Sequence, residues 1–373
     1  MAATDRLRTA LDRLEPPPRA VDWSLFAFVV AEAVTGLVSF TVGVPEGWPL
    51  FWLHRALGVG IVALLAWKLA RVRRRLTDPG LWRRSTALSV LTLVAAVGAL
   101  ATGVAWVFGL DVRLSYWTLL SVHVGFGLAL VPLVAAHAST RFRLPRRVDF
   151  ERRRTAVRYF TLLAAGGATY RLQQGVNDAL DTAGADRRFT GSQPREGTGN
   201  AAFPITSWVA DDPDPIDRDD YRLRVDGLVR DPVDLTAGDL AAGHETEALL
   251  DCTSGWYTVQ EWDGIRVGDL LDAAGGVAAP GDAPEADSGP EPAYVRFTSV
   301  TGYRWSLPLE EAADALLATH VGGERLSHGH GAPARLVAPD RRGFQWVKWV
   351  TRVEVRSEYD FGQWVVTLVS GFD

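Results

Sequence analysis

The chain has 373 residues, with 44 acidic against 39 basic side chains, a formal net charge of −5 and a single cysteine. One cysteine excludes an internal disulfide framework, and the acidic balance argues against a nucleic-acid partner. Mean hydropathy is +0.03, but the charge is split: residues 1–185 hold 12 Asp and Glu against 22 Lys and Arg, a net of +10, and residues 186–373 hold 32 against 17, a net of −15.

In chain order, four apolar runs come first, near 22–43, 50–70, 86–109 and 116–138, each close to the ~20 residues that a bilayer-spanning helix needs. They predict a four-helix membrane domain over 1–140. A shorter fifth run near 155–171 makes 141–175 a basic segment with a short fifth transmembrane helix. Arginines crowd 71–84 and 141–154, whereas the connections near 43–50 and 109–115 carry little positive charge. The positive-inside rule places the basic loops and the N-terminus in the cytoplasm, and a fifth span then carries the C-terminal half outside. The pair Arg153-Arg154, followed by Thr155-Ala156-Val157-Arg158 and an apolar run, looks like a twin-arginine export signal, read by a translocase of folded proteins. An ordinary basic flank of a short helix is the other reading, and both give the same topology.

Three of the seven histidines, His54, His123 and His137, fall within the apolar runs. An ionisable side chain inside a span is costly and is a functional candidate by default. Neutral imidazole ligates haem iron. In the topology above, the second and fourth spans both begin outside, so His54 and His123 lie at similar depth, with Gly58, Gly125 and Gly127 beside them to let a flat macrocycle approach. His137 lies 14 residues after His123, about 21 Å along a helix, and the matching position after His54 is Lys68. One haem b held by His54 and His123 is therefore expected, with His137 as an interfacial or quinone-site residue. The pattern resembles the b-type cytochrome membrane subunits that partner molybdenum enzymes. Glu32 is the one acidic residue deep in the runs, too few for a transporter.

A polar stretch rich in Gly, Thr and Arg predicts a linker over 176–200, and 201–373 follows as one domain. Residues 221–229 alternate as a strand, 235–240 have the pattern of a capped short helix, and 293–298, 335–338 and 350–355 read as strands. The Pro, Asp and Gly-rich stretch 280–292 reads as a loop. Short strands with few helices predict an α+β domain.

The only cysteine sits in Leu250-Asp251-Cys252-Thr253-Ser254-Gly255-Trp256. A lone thiolate is a soft ligand for a redox-active metal, and a buried structural cysteine is the alternative. Downstream come Glu261-Trp262-Asp263-Gly264-Ile265, then His330-Gly331-Ala332-Pro333-Ala334-Arg335, then Gly343 and Lys348-Trp349. With Cys252, these motifs resemble, in order and over 203–356, the molybdopterin-binding domain of the sulfite oxidase family, including its methionine-sulfoxide-reductase branch. The resemblance implies an α+β sulfite-oxidase-like fold and a molybdenum–molybdopterin cofactor with Cys252 as metal ligand. It implies cofactor contacts from Gly255, Trp256, His330, Arg335, Gly343 and Lys348. Arg304, in Gly302-Tyr303-Arg304-Trp305, is expected to bind an oxyanion substrate if it faces the metal. The segment Arg341-Arg342-Gly343-Phe344-Gln345-Trp346 departs from the family pattern in its bulky aromatics. The chain ends soon after Lys348, leaving no room for the dimerising domain of true sulfite oxidases, which points to the reductase-like branch. The sequence thus reads as a membrane enzyme exchanging electrons with the quinone pool and transferring an oxygen atom. Reduction of an S- or N-oxide is favoured. Sulfite dehydrogenation and a non-catalytic electron-relay module are the rivals.

Overall fold

The computed structural model describes residues 16–114, 117–141, 143–144, 146, 153–207, 211–240, 243–278 and 291–369. The chain divides into two compact units, Met1–Gln193 and Pro194–Asp373. The boundary falls inside the stretch expected to be a linker. Residues 195–200 of that stretch are pinned to the second unit: Arg195 N donates to Tyr257 O (2.8 Å), Gly199 N to Gln260 Oε1 (2.9 Å) and Asn200 N to Glu324 Oε1 (2.6 Å).

The first unit is helical: α1 (Pro18–Ser39), α2 (Trp48–Thr77), α3 (Arg84–Val107), α4 (Leu119–Arg141) and α5 (Arg153–Leu180). Proline opens α1 and α2 in the first turn, where its missing N–H costs nothing. Among the described residues, α1 to α4 are long and apolar enough to cross a membrane. The fifth helix is longer than the 155–171 run and more polar, with Arg158, Arg171, Gln173, Gln174 and Asn177 along it. Helix α1 packs on α2, α3 on α4, and α5 on α2. Val29, Ile61, Ala95, Ala96, Leu130 and Val134 join α1 to α4 in one buried cluster. Where α5 crosses α2, a Cβ on Gly166 would lie 2.6 Å from the Ala56 carbonyl oxygen, so only glycine lets these backbones meet.

The second unit is α+β. Its strands are β1 (Arg222–Gly227), β2 (Val233–Thr236), β3 (His244–Cys252), β4 (Trp256–Arg266), β5 (Tyr294–Ser299), β6 (Arg304–Pro308), β7 (Leu316–Val321), β8 (Glu324–Arg325), β9 (Arg335–Val337) and β10 (Val350–Arg356). Helix α6 (Val267–Ala273) follows β4, α7 (Leu309–Asp314) follows β6, and α8 (Gln363–Val369) follows β10. One sheet runs β2–β1–β10–β5–β6, with β1 and β10 parallel. In the other, β7 pairs with β4, β8 and β9, and β3 pairs with β4. Alternating residues of both sheets bury a core that includes Trp262, Leu250, Phe297, Leu307, Leu317 and Val353.

The helix expected at 235–240 is not formed. Strand β2 runs through Thr236 to pair with β1, and Asp239 turns back to accept from Thr236 N and Oγ1, both at 2.7 Å. The capping pattern is present but closes a turn. The 280–292 loop lies, up to residue 290, outside the described residues, as does Arg152 before the Arg153-Arg154 pair.

Strand β4 is locked by a close approach. A Cβ on Gly264 would lie 2.2 Å from the Leu317 carbonyl oxygen on β7, an atom that moves only if the strand moves. Gly264→Ala is therefore expected to destabilise this unit by about 1–3 kcal/mol, the range for overpacking a tight core, read as a lower denaturation midpoint of its tryptophan fluorescence.

Candidate active site

The site begins with the β3–β4 hairpin. Its two strands pair down to Cys252 opposite Trp256, and Thr253-Ser254-Gly255 make the turn. Gly255 has φ +99° and donates its N–H to Cys252 O at 3.0 Å, a left-handed position that suits glycine. Cys252 is buried, with Sγ 3.1 Å from Ser254 Oγ. Beneath it, Asp251 and Arg342 form a buried pair at 3.5 Å, and Arg342 reaches Cys252 O at 3.4 Å. Gly343 admits the neighbouring segment: a Cβ there would lie 3.1 Å from Cys252 Cα.

The second wall is the turn before β9. Gly331 has φ +112°, and a Cβ on it would lie 3.0 Å from Lys348 Cβ and 3.1 Å from Arg335 Cβ. Glycine here lets two cationic side chains converge on one pocket. Trp349, beside Lys348, holds the left-handed conformation at φ +51°, a strained state for a bulky residue. Its indole N–H, which donates to His328 O at 2.8 Å, and its burial hold it there.

Together these elements line a pocket with Cys252, Trp256, His330, Arg335, Gly343 and Lys348, joined by Phe203, Thr206, Ser207, Asp211, Tyr303 and Trp346. Arg335 donates to His330 O at 3.1 Å and lies over the rings of Trp262 and Trp346. Its Nε is buried with no hydrogen-bond partner, and burial lowers its pKa to about 10. Lys348 donates to Thr206 O, Ser207 Oγ and Gly329 O, and burial, then repulsion from Arg335, lowers its pKa to about 7. His330 bonds through Nδ1 to Ser327 Oγ (2.8 Å) and through Nε2 to Phe203 O (3.1 Å). Burial drops its pKa to about 4, so it is a neutral wall whose ring nitrogens are both committed to its own chain.

Six of the expected site residues thus meet in one pocket, and Gly255 shapes the turn beneath it. Arg304 does not join them. Its Nε bonds Asp360 Oδ2 at 2.6 Å, and Asp360 also takes Arg296. The oxyanion contact expected of Arg304 is not seen in this pocket: the guanidinium is held by a carboxylate, and its neighbour Tyr303 lines the pocket. Sequence reasoning missed Asp211, whose carboxyl is buried with Oδ1 unpartnered and whose pKa burial raises. No local motif marks it, because it reaches the pocket from a segment far from the cysteine. The Asp251–Arg342 pair was also missed, although Arg342 beside Gly343 was its trace.

In the helical unit, His54 of α2 and His123 of α4 face each other with ring centroids 6.3 Å apart and planes at 80°. His54 Nδ1 lies 2.6 Å from Glu32 Oε2 and 2.9 Å from Thr35 Oγ1. The Thr35 hydroxyl donates to its own helix, at Ala31 O (2.8 Å), so its oxygen accepts. The proton therefore sits on His54 Nδ1. His123 Nδ1 faces Ala99 O at 2.8 Å and must also donate. Both rings thus keep the Nε2 lone pair, the one a metal takes when a hydrogen bond fixes the tautomer. Two imidazoles sharing one metal, with bonds of about 2 Å, have centroids roughly 6 Å apart. His137 is separate, with Nδ1 3.3 Å from Ser89 Oγ.

The comparisons with known proteins bear on the second unit. The oxidoreductase molybdopterin binding domain matches residues 210–364. The chain is 31% identical over 157 residues to the protein-methionine-sulfoxide reductase catalytic subunit of Gluconobacter oxydans, covering 36% of this chain and 46% of that one. It is 28% identical over 180 residues to the uncharacterized oxidoreductase YuiH of Bacillus subtilis, covering 47% and 84%. It is 32% identical over 127 residues to mitochondrial sulfite oxidase of Mus musculus, covering 33% and 22%. The match thus spans about half of the reductase subunit and about a fifth of the sulfite oxidase. The sulfane dehydrogenase SoxCD of Paracoccus pantotrophus aligns at 29% identity over 39% of this chain and 40% of that one, with a TM-score of 0.34. The pocket's donors suit such a cofactor: a soft sulfur, a buried guanidinium with an orphaned N–H and a partly desolvated ammonium. Residues 210–364 of this chain thus form an oxidoreductase molybdopterin binding domain, homologous to methionine-sulfoxide reductase and sulfite oxidase.

Proposed function

We propose that the chain is a membrane-anchored molybdenum enzyme that draws electrons from a membrane quinol through one haem b and removes an oxygen atom from a small neutral S- or N-oxide outside the cytoplasm. The observation that carries the chemistry is the convergence of the sole cysteine with buried Arg335 and Lys348 in one pocket. When bound, the molybdenum cofactor supplies two-electron oxygen-atom transfer. Cys252 Sγ would be the protein's metal ligand. Arg335 and Lys348 would hold the cofactor's anionic groups through charge-assisted hydrogen bonds. Phe203 and Trp256, with ring centroids 5.6 Å apart, wall the site against water.

Reducing an S-oxide breaks one S–O bond and consumes two electrons and two protons, giving a sulfide and water. Asp211 is the pocket group suited to hold one of those protons, because burial favours its neutral form. Arg304 is committed to Asp360 rather than to the pocket, which favours a neutral oxide. Sulfite oxidation is the second reading, favoured by the two cations of the pocket. A dye-linked assay of the purified protein decides: turnover of methionine sulfoxide without turnover of sulfite is expected, and the reverse would reassign the direction.

Cys252→Ser is expected to abolish oxygen-atom transfer and leave any haem spectrum intact, since a hydroxyl is a far poorer soft-metal ligand than a thiolate. Activity within about twofold of the wild type would remove the metal-ligand role.

The haem reading is supported by the facing rings of His54 and His123, each with its Nδ1 proton engaged. His54→Ala and His123→Ala are each expected to lose haem b, and His137→Ala to keep it, by absorption spectra and haem-to-protein ratio. Two haems per chain, or loss confined to the His137 variant, would overturn the assignment.

Sidedness follows from the basic stretches 71–84 and 141–154. Protease added to intact spheroplasts is expected to degrade the C-terminal unit. With Arg153 and Arg154 both changed to Lys, protection is expected. Protection in the wild type as well would reverse the topology, and cleavage in both would remove only the twin-arginine role.

A further inference from the structure

Helix α1 presents Glu32, Thr35 and Gly36 at spacings of three and four, hence on one face. That face meets His54 of α2. Glu32 Oε2 lies 2.6 Å and Thr35 Oγ1 2.9 Å from His54 Nδ1, and a Cβ on Gly36 would stand 3.5 Å from His54 Cε1. One turn along α2, a Cβ on Gly58 would stand 3.5 Å from Glu32 Oε1, so glycine there leaves room for the carboxylate. Glu32 Oε1 is buried with no hydrogen-bond partner. His54 is the one ion-pair partner that Glu32 has among the described residues. A carboxylate in an apolar span is costly and marks function by default.

His123 is treated differently. Its Nδ1 donates to the Ala99 carbonyl, a neutral acceptor. The two facing histidines are thus chemically unequal: one is backed by a carboxylate and the other by a peptide.

We propose that Glu32 is a positioning residue that fixes the His54 tautomer and sets the reduction potential of the metal that His54 and His123 share. The proposal rests on the haem reading above. A carboxylate accepting from Nδ1–H draws that proton toward itself and makes Nε2 a stronger donor, as an outer carboxylate does for metal-bound histidines elsewhere. A stronger, more anionic donor favours ferric over ferrous iron. The nearby negative charge acts the same way, because the ferric state carries one more positive charge and the surroundings screen poorly. Glu32 thus lowers the potential. Only the one-electron ferric/ferrous couple is involved, and no bond is made or broken.

The test uses the full chain purified in detergent. Glu32→Gln keeps a side-chain acceptor for Nδ1–H and removes the charge. It is expected to bind haem at the wild-type ratio, with its midpoint potential shifted upward in a redox titration. An unchanged or lowered midpoint with haem retained overturns the proposal. The wild-type ferric protein supplies a measurement independent of any variant's folding. Its near-infrared charge-transfer band is expected at higher energy than that of a ferric haem with two neutral imidazoles, the mark of imidazolate character. A band at the neutral-imidazole position overturns the proposal while leaving the haem reading intact. Absence of haem from the wild-type protein overturns both, so the two failures are distinguishable.

Discussion

Arg335 stands on a short strand inside the second unit, almost wholly removed from water, with one carbonyl bond and two tryptophan faces for company. Burying a guanidinium costs several kcal/mol unless anions or acceptors surround it. No carboxylate pairs with it among the described residues. Its strand is anchored by pairing to β7, and its base is crowded against Gly331. The fold therefore holds a cation where solvent does not compensate it and opens that place onto a pocket beside a cysteine. Lys348 repeats the arrangement at the rim, held by Thr206, Ser207 and Gly329. An anionic cofactor would resolve the cost of both, and its binding would then add to this domain's stability.

The helical unit meets the same constraint among its four apolar helices. Among the described residues, the charged side chains of the candidate spans sit near the ends or meet partners. Lys68 and Arg71 share Asp22 at 2.6 and 2.7 Å. Glu32 and His54, both half-buried, meet between α1 and α2. Each polar pair joins α1 to α2, so the costly groups also fix the rotation of one helix against the other.

The outline of this arrangement was legible in the sequence because its signals are local. Apolar runs of sufficient length gave the four helices, and the motifs around Cys252, His330 and Lys348 gave the pocket. The helix boundaries shifted, since α2 continues through basic residues to Thr77 and α5 through polar ones to Leu180. A helix dipole tolerates basic residues in its last turn, and periodicity alone does not end such a helix. The 235–240 segment misled because an Asp three residues after a Thr closes a turn as readily as it caps a helix. Arg304 misled for another reason. Its partner Asp360 lies 56 residues on, and no local pattern announces a contact at that distance. Asp211 was invisible on the same ground.

Arg304 and Asp211 bear differently on the pocket: Asp211 lines it and Arg304 does not. Arg296 and Arg304 share Asp360, and Arg296 also meets Glu354, so both guanidiniums are engaged within the β5–β6–β10 side of the domain. What remains toward the pocket is a buried carboxyl and the cations that a cofactor would occupy. Around it, residues 186–373 carry a net charge of −15. A field of that sign slows the encounter of a sulfite dianion and leaves a neutral oxide unaffected, and the discrimination weakens as salt screens it. The proposed preference for a neutral substrate would then rest on the electrostatics of the whole domain surface, and it requires no contact specific to one S-oxide.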